Sequence, residues 1–370
     1  MTLSTQNHSP EKILFVSHGK KQCGVHEYGI SIAEALKKST NYAFTYAECS
    51  SPEEFWATAA DVAPSAVIYN YYPSTLPWLK KKVMRRFDIP HLGIMHEVTQ
   101  QKADSADTRL FDYHIGPDPT LCLNNPIVFK TGRLIPKYVN EFTPPKVTTI
   151  GSFGFATAGK GFERLIIAVQ EEFDEAVIRL HIPSGDFVAS DAKDVAKRCQ
   201  KLMVKDRVKL VVTHEFLEKR QLLDFLAQNT LNAFFYEELE GEGRGISSVI
   251  ENALAVRRPI AITRSSMFRH ILLGDDPPIC IQPAISRKRE LYPKLKRRLY
   301  LRRSRNELPL KWRLKPESSL RKIIEEGIHR LMPFYTEWVE PNIIRDYERI
   351  LDDVFGRRKA ARDIGLTNPE

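Results

Sequence analysis

Short apolar runs and amphipathic stretches take turns along this chain, and their order predicts the fold. The run at 12–17, Lys-Ile-Leu-Phe-Val-Ser, is a strand-sized block of β-formers behind a polar tail. After the loop from His18 to Val25, apolar residues recur at turn spacing (Ile30, Ala33, Leu36), which predicts an amphipathic helix over 26–38. Further strands are predicted at 44–47, 66–70 and 92–95, with helices at 52–60 and 76–86. Strand, helix, strand at this spacing makes a parallel sheet with right-handed crossovers.

The double proline Pro144-Pro145 breaks the pattern and sets a domain boundary. The same grammar then restarts. A strand at 147–152 runs through a glycine-bearing loop to Gly161 and a helix at 162–172. Strands at 177–182, 208–212, 231–235, 259–263 and 279–282 follow. The last element, 337–355, carries Trp338, Ile343, Ile344, Tyr347, Ile350 and Leu351 at helical spacing, and the charged tail 356–370 is expected to fray.

The expected fold class is therefore α/β, with two Rossmann-like, doubly wound parallel-sheet domains in series. The N-terminal domain is assigned to 1–143, the C-terminal one to 147–335 and a final helix to 336–358. Such a pair puts a ligand where the carboxyl ends of the two sheets face each other across a cleft.

Composition narrows the class. A chain of 370 residues suits two domains of about 150–200 residues each. With 42% hydrophobic and 27% charged residues it is globular rather than disordered. No apolar stretch reaches the roughly eighteen residues of a membrane span, and the polar start lacks a secretory pattern, so a cytoplasmic protein is expected. The five cysteines lie far apart with no CxxC pair, which reads as reduced thiols and not as a zinc site. No HExxH or other metal-ligating cluster is present, nor a clean DxD, so no metal is expected.

The net charge of +9 attracts anions without naming one. Its concentration is more telling. Between Arg287 and Arg313 there are twelve Lys or Arg residues against Glu290 and Glu307. Leu291, Leu295 and Leu299 recur at i, i+4, i+8 beneath these cations. Such a helix suits an anionic membrane surface, and equally a solvated face or a subunit contact. Nucleic acid is disfavoured because no binding motif accompanies the charge.

Three regions carry candidate chemistry. At Gly24 a strand turns into a helix, where a glycine admits close backbone approach and the helix start attracts an anion; an ordinary connecting loop reads equally well. GxGxxG is absent, since Gly19 and Gly24 have the wrong spacing, which argues against a nicotinamide enzyme. The second region, Gly151 to Gly161, puts Lys160 at a helix start, where it can reach a diphosphate; without a following Ser or Thr it is no Walker loop. The bland alternative is a solvated lysine.

The third region runs from Tyr236 to Glu251. It holds Glu237, Glu238, Glu240 and Glu242, then Gly243-Arg-Gly-Ile-Ser-Ser and a helix. Four close glutamates repel one another, which is costly in a turn without a purpose, though a solvated acidic loop is the alternative. Gly245 lets backbone N–H groups meet phosphate, Ser247 or Ser248 is placed to cap the helix, and Glu251 lies a turn into it, within reach of sugar or ribose hydroxyls.

At these residues the chain resembles the retaining GT-B glycosyltransferases of family 4. The run from Glu242 to Leu254 resembles their Glu-Gly-x-Gly…Glu-Ala signature, and Gly159-Lys160-Gly161 their Lys-Gly phosphate loop. Gly24-Val25 resembles their N-terminal Gly-Gly-Val loop, and Met95-His96-Glu97 their central histidine. The resemblance implies a nucleotide-sugar donor, UDP- or GDP-linked, and no separate cofactor. Lys160 would bind the diphosphate, Glu251 the ribose, Glu242 or Glu240 the transferred sugar, and His96 would face the sugar from the first domain. The acceptor would be a glycan or lipid-linked glycan in surface polysaccharide or glycoconjugate synthesis, with the enzyme peripheral on the inner membrane face.

The chain also departs from that pattern. Glu242 and Glu251 enclose eight residues where the family has seven, and Ser152 stands where the family has arginine. Arg244 is assigned to supply the missing guanidinium. These departures sustain a second reading from a different class, a catalytically silent GT-B module that binds sugar nucleotide or partner proteins as a scaffold. A nucleotide-sugar epimerase is the nearest enzymatic rival.

Overall fold

The computed structural model describes residues 9–21, 23–184, 191–238, 244–272, 280–281 and 319–363. It divides into two compact units. The first is Met1–Lys137, Glu242–Glu251 and Pro333–Glu370; the second is Tyr138–Gly241 and Asn252–Met332.

The first unit holds a six-stranded sheet: β1 (Glu11–Ser17), β2 (Tyr42–Glu48), β3 (Ala66–Tyr69), β4 (His91–Ile94), β5 (Tyr113–Gly116) and β6 (Val128–Lys130). Their order is β2-β1-β3-β4-β5-β6, and every pairing is parallel. Strands β3 and β4 are buried throughout, as a sheet covered on both faces requires. Helix α1 (Gly24–Leu36) follows β1 and buries Ile32, Ala33 and Leu36. Helix α2 (Pro52–Val62) starts on Ser51, whose hydroxyl accepts from the Glu54 amide, with Pro52 in the first turn.

The 76–86 helix is a correction. Only α3 (Lys81–Met84) is α-helical there. Pro77 has no N–H to continue a helix, and the preceding residues close tighter turns, such as Leu79 N–H to Leu76 O at 3.1 Å. Strands β5 and β6, of four and three residues, were not anticipated, nor was the short helix α4 (Gln100–Asp104).

From residue 149 on, β7 (Thr149–Phe153), α5 (Phe162–Glu172), β8 (Ala176–His181), α6 (Ala192–Lys201), β9 (Val208–Thr213), α7 (Lys219–Ala227), β10 (Leu231–Phe234), α8 (Val249–Ala255), β11 (Ile260–Thr263) and β12 (Cys280–Ile281) follow in turn, all in the second unit except Val249–Glu251 of α8, which belong to the first. The sheet order is β12-β11-β10-β7-β8-β9, again parallel in every pairing. Helix α9 (Leu320–Glu326) is anchored by Glu172, which accepts from the Leu320 and Arg321 amides at 2.9 and 3.1 Å.

Two last helices, α10 (Met332–Glu337) and α11 (Glu340–Asp363), close the chain. Helix α11 belongs to the first unit, where Ile343, Tyr347, Ile350, Leu351 and Val354 join the cluster of Ile13, Phe15, Ile32 and Leu36. Each such side chain contributes roughly 1.5–3 kcal/mol. The expected fraying from 356 is corrected: the helix continues to Asp363, because Arg357 donates to Pro126 O at 2.7 Å and Arg358 pairs with Asp88 at 2.9 Å.

Candidate functional site

Parallel doubly wound sheets bind ligands beyond the carboxyl ends of their strands, where the strand order reverses. In the first sheet that point lies between β1 and β3, in the second between β7 and β10.

In the first unit Ser17 closes β1 and Asn70 follows β3; both are fully buried. Asn70 Nδ2 lies 2.9 Å from Ser17 Oγ and 2.7 Å from the Val25 carbonyl, and Asn70 Oδ1 lies 2.6 Å from His96 Nε2. His96 sits two residues past β4, half-buried, with the Tyr28 ring edge-on at 5.1 Å. Burial first, then the charges of Arg133 and His18, press its pKa down to about 3. His18 is held down to about 4, again by burial first and then by His26 and Lys20. Both imidazoles are therefore neutral at pH 7.

His26 and His18 are packed together, with ring centroids 5.7 Å apart. His26 Nε2 lies 2.8 Å from Glu48 Oε1, and the Lys20 amide donates to His18 Nδ1 at 3.1 Å.

Beside this group lies a buried ion pair. Arg133, just past β6, donates Nε–H to Glu251 and an NH1 hydrogen to Pro117 O at 2.7 Å. Burial opposes the guanidinium charge most, but the charge and hydrogen bond of Glu251, with Tyr28 and Asp118, together raise the pKa. Glu251, in the first turn of α8, is thus held by a protein cation in this structure.

The remaining site residues of this unit divide. Gly245 is buried against the chain at His96: a Cβ there would come within 2.8 Å of His96 O and 2.7 Å of Glu97 Cα, so only glycine fits without a backbone shift. Arg244 is half-buried and its charge acts on the Tyr72 hydroxyl. Ser247 is buried, while Ser248 is exposed and immediately precedes α8. Gly24 opens α1, and a Cβ there would meet nothing within 4 Å. A cavity of about 350 Å³ also lies in this unit, lined by Lys130, Arg133, Arg345, Arg349, Glu337 and Asp346 among others.

In the second unit the loop after β7 leads to Lys160. Its Nζ donates to Tyr236 Oη at 2.6 Å and lies 4.0 Å from that ring's centroid. Tyr236 follows β10, is 2% exposed and packs on Phe268 with centroids 4.7 Å apart. Gly161 adopts φ +68° and has Phe235 O against it, so α5 begins on a residue only glycine supplies easily. Glu237 pairs with Arg164 at 2.5 Å, and Glu238 accepts from the amide and hydroxyl of Ser266 at 2.7 and 2.6 Å. Two of the four clustered glutamates are therefore already engaged.

Glu240, Glu242 and the basic segment 287–313 lie outside the described residues. Among the described residues no three His, Cys, Asp or Glu side chains are grouped to hold a metal, and no helix is long and apolar enough to cross a membrane.

Asn70, Arg133 and Tyr236 were not singled out in the sequence. Asn70 left a signal, a polar residue closing the apolar run 66–70. Arg133 left none, since its partner is 118 positions away.

No protein-family model matches the chain, and no curated protein matches it in sequence. Solved structures do match. HepE from Anabaena, in complex with UDP and glucose, superposes with a TM-score of 0.60 at 12% identity, over 93% of this chain and 100% of that one. A glycosyltransferase from Rickettsia africae ESF-5 gives 0.58 at 10% identity, over 94% and 99%. The sucrose-phosphate synthase of Thermosynechococcus elongatus gives 0.56 at 15% identity, over 94% and 100%. At such identities the likeness is one of fold: two Rossmann-like domains of the GT-B type found in glycosyltransferases.

Proposed function

We propose that this protein is a glycosyltransferase that takes its sugar from a nucleoside-diphosphate donor. The observation that carries the reading is Lys160. It is a cation fixed by a buried tyrosine at the reversal point of the second sheet, where the fold receives ligands. A preorganised cation there stabilises the negative charge that grows on a departing diphosphate. Losing one such donor typically costs about 3–4 kcal/mol of transition-state stabilisation. The HepE complex with UDP and glucose supports a UDP-linked donor.

The finer parts of the proposal rest on the sequence. His96 serves the transferred sugar, Glu251 the ribose, and Arg244, Gly245 and Ser247 the phosphates, with Gly24 leaving room at the start of α1. Glu242 is the acid that contacts the sugar. Transfer proceeds with retention and without a metal or separate cofactor. The acceptor is a glycan or a lipid-linked glycan. The segment 287–313 is assigned to an anionic membrane surface.

One observation favours the silent-scaffold reading: Glu251, the expected ribose ligand, is engaged by Arg133. Calorimetric titration with UDP, GDP and their glucose conjugates, followed by a donor-hydrolysis assay, decides between the two. Binding with turnover, both weakened by Lys160→Ala, is the expected result. Binding without turnover makes the protein a scaffold, and no binding at all ends the nucleotide-sugar reading.

A further inference from the structure

Asn70 is oriented by an atom that leaves no choice. The Val25 carbonyl oxygen, 2.7 Å away, only accepts, so the Asn70 atom facing it is the amide nitrogen. The second amide hydrogen goes to Ser17 Oγ at 2.9 Å. Oδ1 is then turned to His96 as an acceptor at 2.6 Å, and His96 Nε2 must carry the hydrogen between them. A neutral imidazole has one N–H, so His96 Nδ1 is left with a lone pair.

Helix α1 presses on this arrangement. Gly29 is buried against Asn70, and a Cβ there would stand 2.3 Å from Asn70 Nδ2 and 3.1 Å from Ser17 Oγ. The charged and titratable groups around His96 are Arg133, with Glu251 behind it, and His18, and the Tyr28 ring stands edge-on to it at 5.1 Å.

We propose that Asn70 is the positioning residue of the first unit's site: it holds His96 as the Nε2–H tautomer, so that Nδ1 presents an acceptor to a hydroxyl of the transferred sugar. The sugar contact rests on the transferase reading above; the tautomer does not. A histidine locked this way distinguishes a hydroxyl, which donates, from an ether or deoxy position, which does not.

The test uses the full chain with ¹⁵N-labelled histidine. The His96 signals are identified by their loss in His96→Gln, and turnover is followed with UDP-glucose. In the unaltered protein the His96 Nδ1 resonance should be that of an unprotonated nitrogen. Asn70→Ala should mix the two tautomers and lower kcat roughly tenfold, the weight of one neutral hydrogen bond, with UDP affinity within about twofold. Asn70→Asp keeps the size and the acceptor but adds a negative charge. It should raise the pH at which His96 gains its second proton and move the acid limb of the kcat profile upward with it. Gly29→Ala, which displaces Asn70 without removing it, should show a smaller change of the same kind.

A protonated Nδ1 in the unaltered protein, or an unchanged His96 spectrum and kcat in Asn70→Ala, overturns the proposal. A protein that takes neither UDP- nor GDP-glucose overturns the sugar contact together with the transferase reading, whereas the spectra then report on Asn70 alone.

Discussion

Arg133 and Glu251 stand 118 positions apart and form an ion pair whose side chains are 6% and 5% exposed. Removing one partner from a buried pair leaves an uncompensated charge and costs about 3–5 kcal/mol, whereas replacing both by apolar residues of similar size is often neutral. Glu251→Ala and Arg133→Met should each lower the unfolding free energy of the first unit, measured by urea titration, by an amount in that range. The double variant Arg133→Met/Glu251→Leu should recover most of it. Additive losses would mean that the pair is not a closed unit.

Lys160 leans on Tyr236 by a hydrogen bond and by the ring face. Lys160→Ala should weaken UDP binding by about 10- to 100-fold, the weight of a charge-assisted hydrogen bond. Tyr236→Phe keeps the ring and loses only the hydroxyl, so its effect should be smaller. Calorimetry on the two variants checks the order, and equal losses would mean that the hydroxyl alone holds the lysine.

Gly161 and Gly24 begin helices in different circumstances. At Gly161 the backbone is left-handed and a Cβ would fall 1.9 Å from Phe235 O, so Gly161→Ala should destabilise the second unit by about 2–4 kcal/mol. At Gly24 the space is open, and Gly24→Ala should change the urea midpoint by no more than about 0.5 kcal/mol equivalent. A loss of donor affinity in that otherwise stable variant would mark a ligand contact at the loop.

Acid should weaken the fold through its buried histidines. Burial holds His18 and His181 each at about 4, below the ordinary 6.5. Between those values the unfolded chain takes up protons that the folded protein refuses. The stabilisation is complete above pH 6.5 and is lost as pH falls toward 4, on the order of 2–3 kcal/mol per histidine. Urea midpoints should drop across this window, and His181→Gln should flatten part of the slope. A level profile would show that these rings titrate normally.

The alternation of apolar runs and amphipathic helices was legible because burial on both faces of a parallel sheet leaves a local trace. The 162–172 helix and the strand starts at 66 and 231 follow from composition within a few residues. The candidate site was legible only where a motif is contiguous, as at Gly159-Lys160-Gly161. Strands β5 and β6 escaped because three or four residues carry no readable period, and helix 76–86 was overestimated because Pro77 sits inside its apolar pattern.

By itself the sequence determined that two parallel α/β sheets form in series and that Lys160 and Gly161 open a helix after the second sheet's first strand. Hydrophobic period and backbone chemistry are local, and they survive in the order of residues. Which polar groups meet was decided only by the tertiary structure. Asn70 reaches His96 because strand order sets β3 beside β4, so that the residues following both strands meet, and Arg133 reaches Glu251 across 118 positions of chain; burial then fixes their charges and protons.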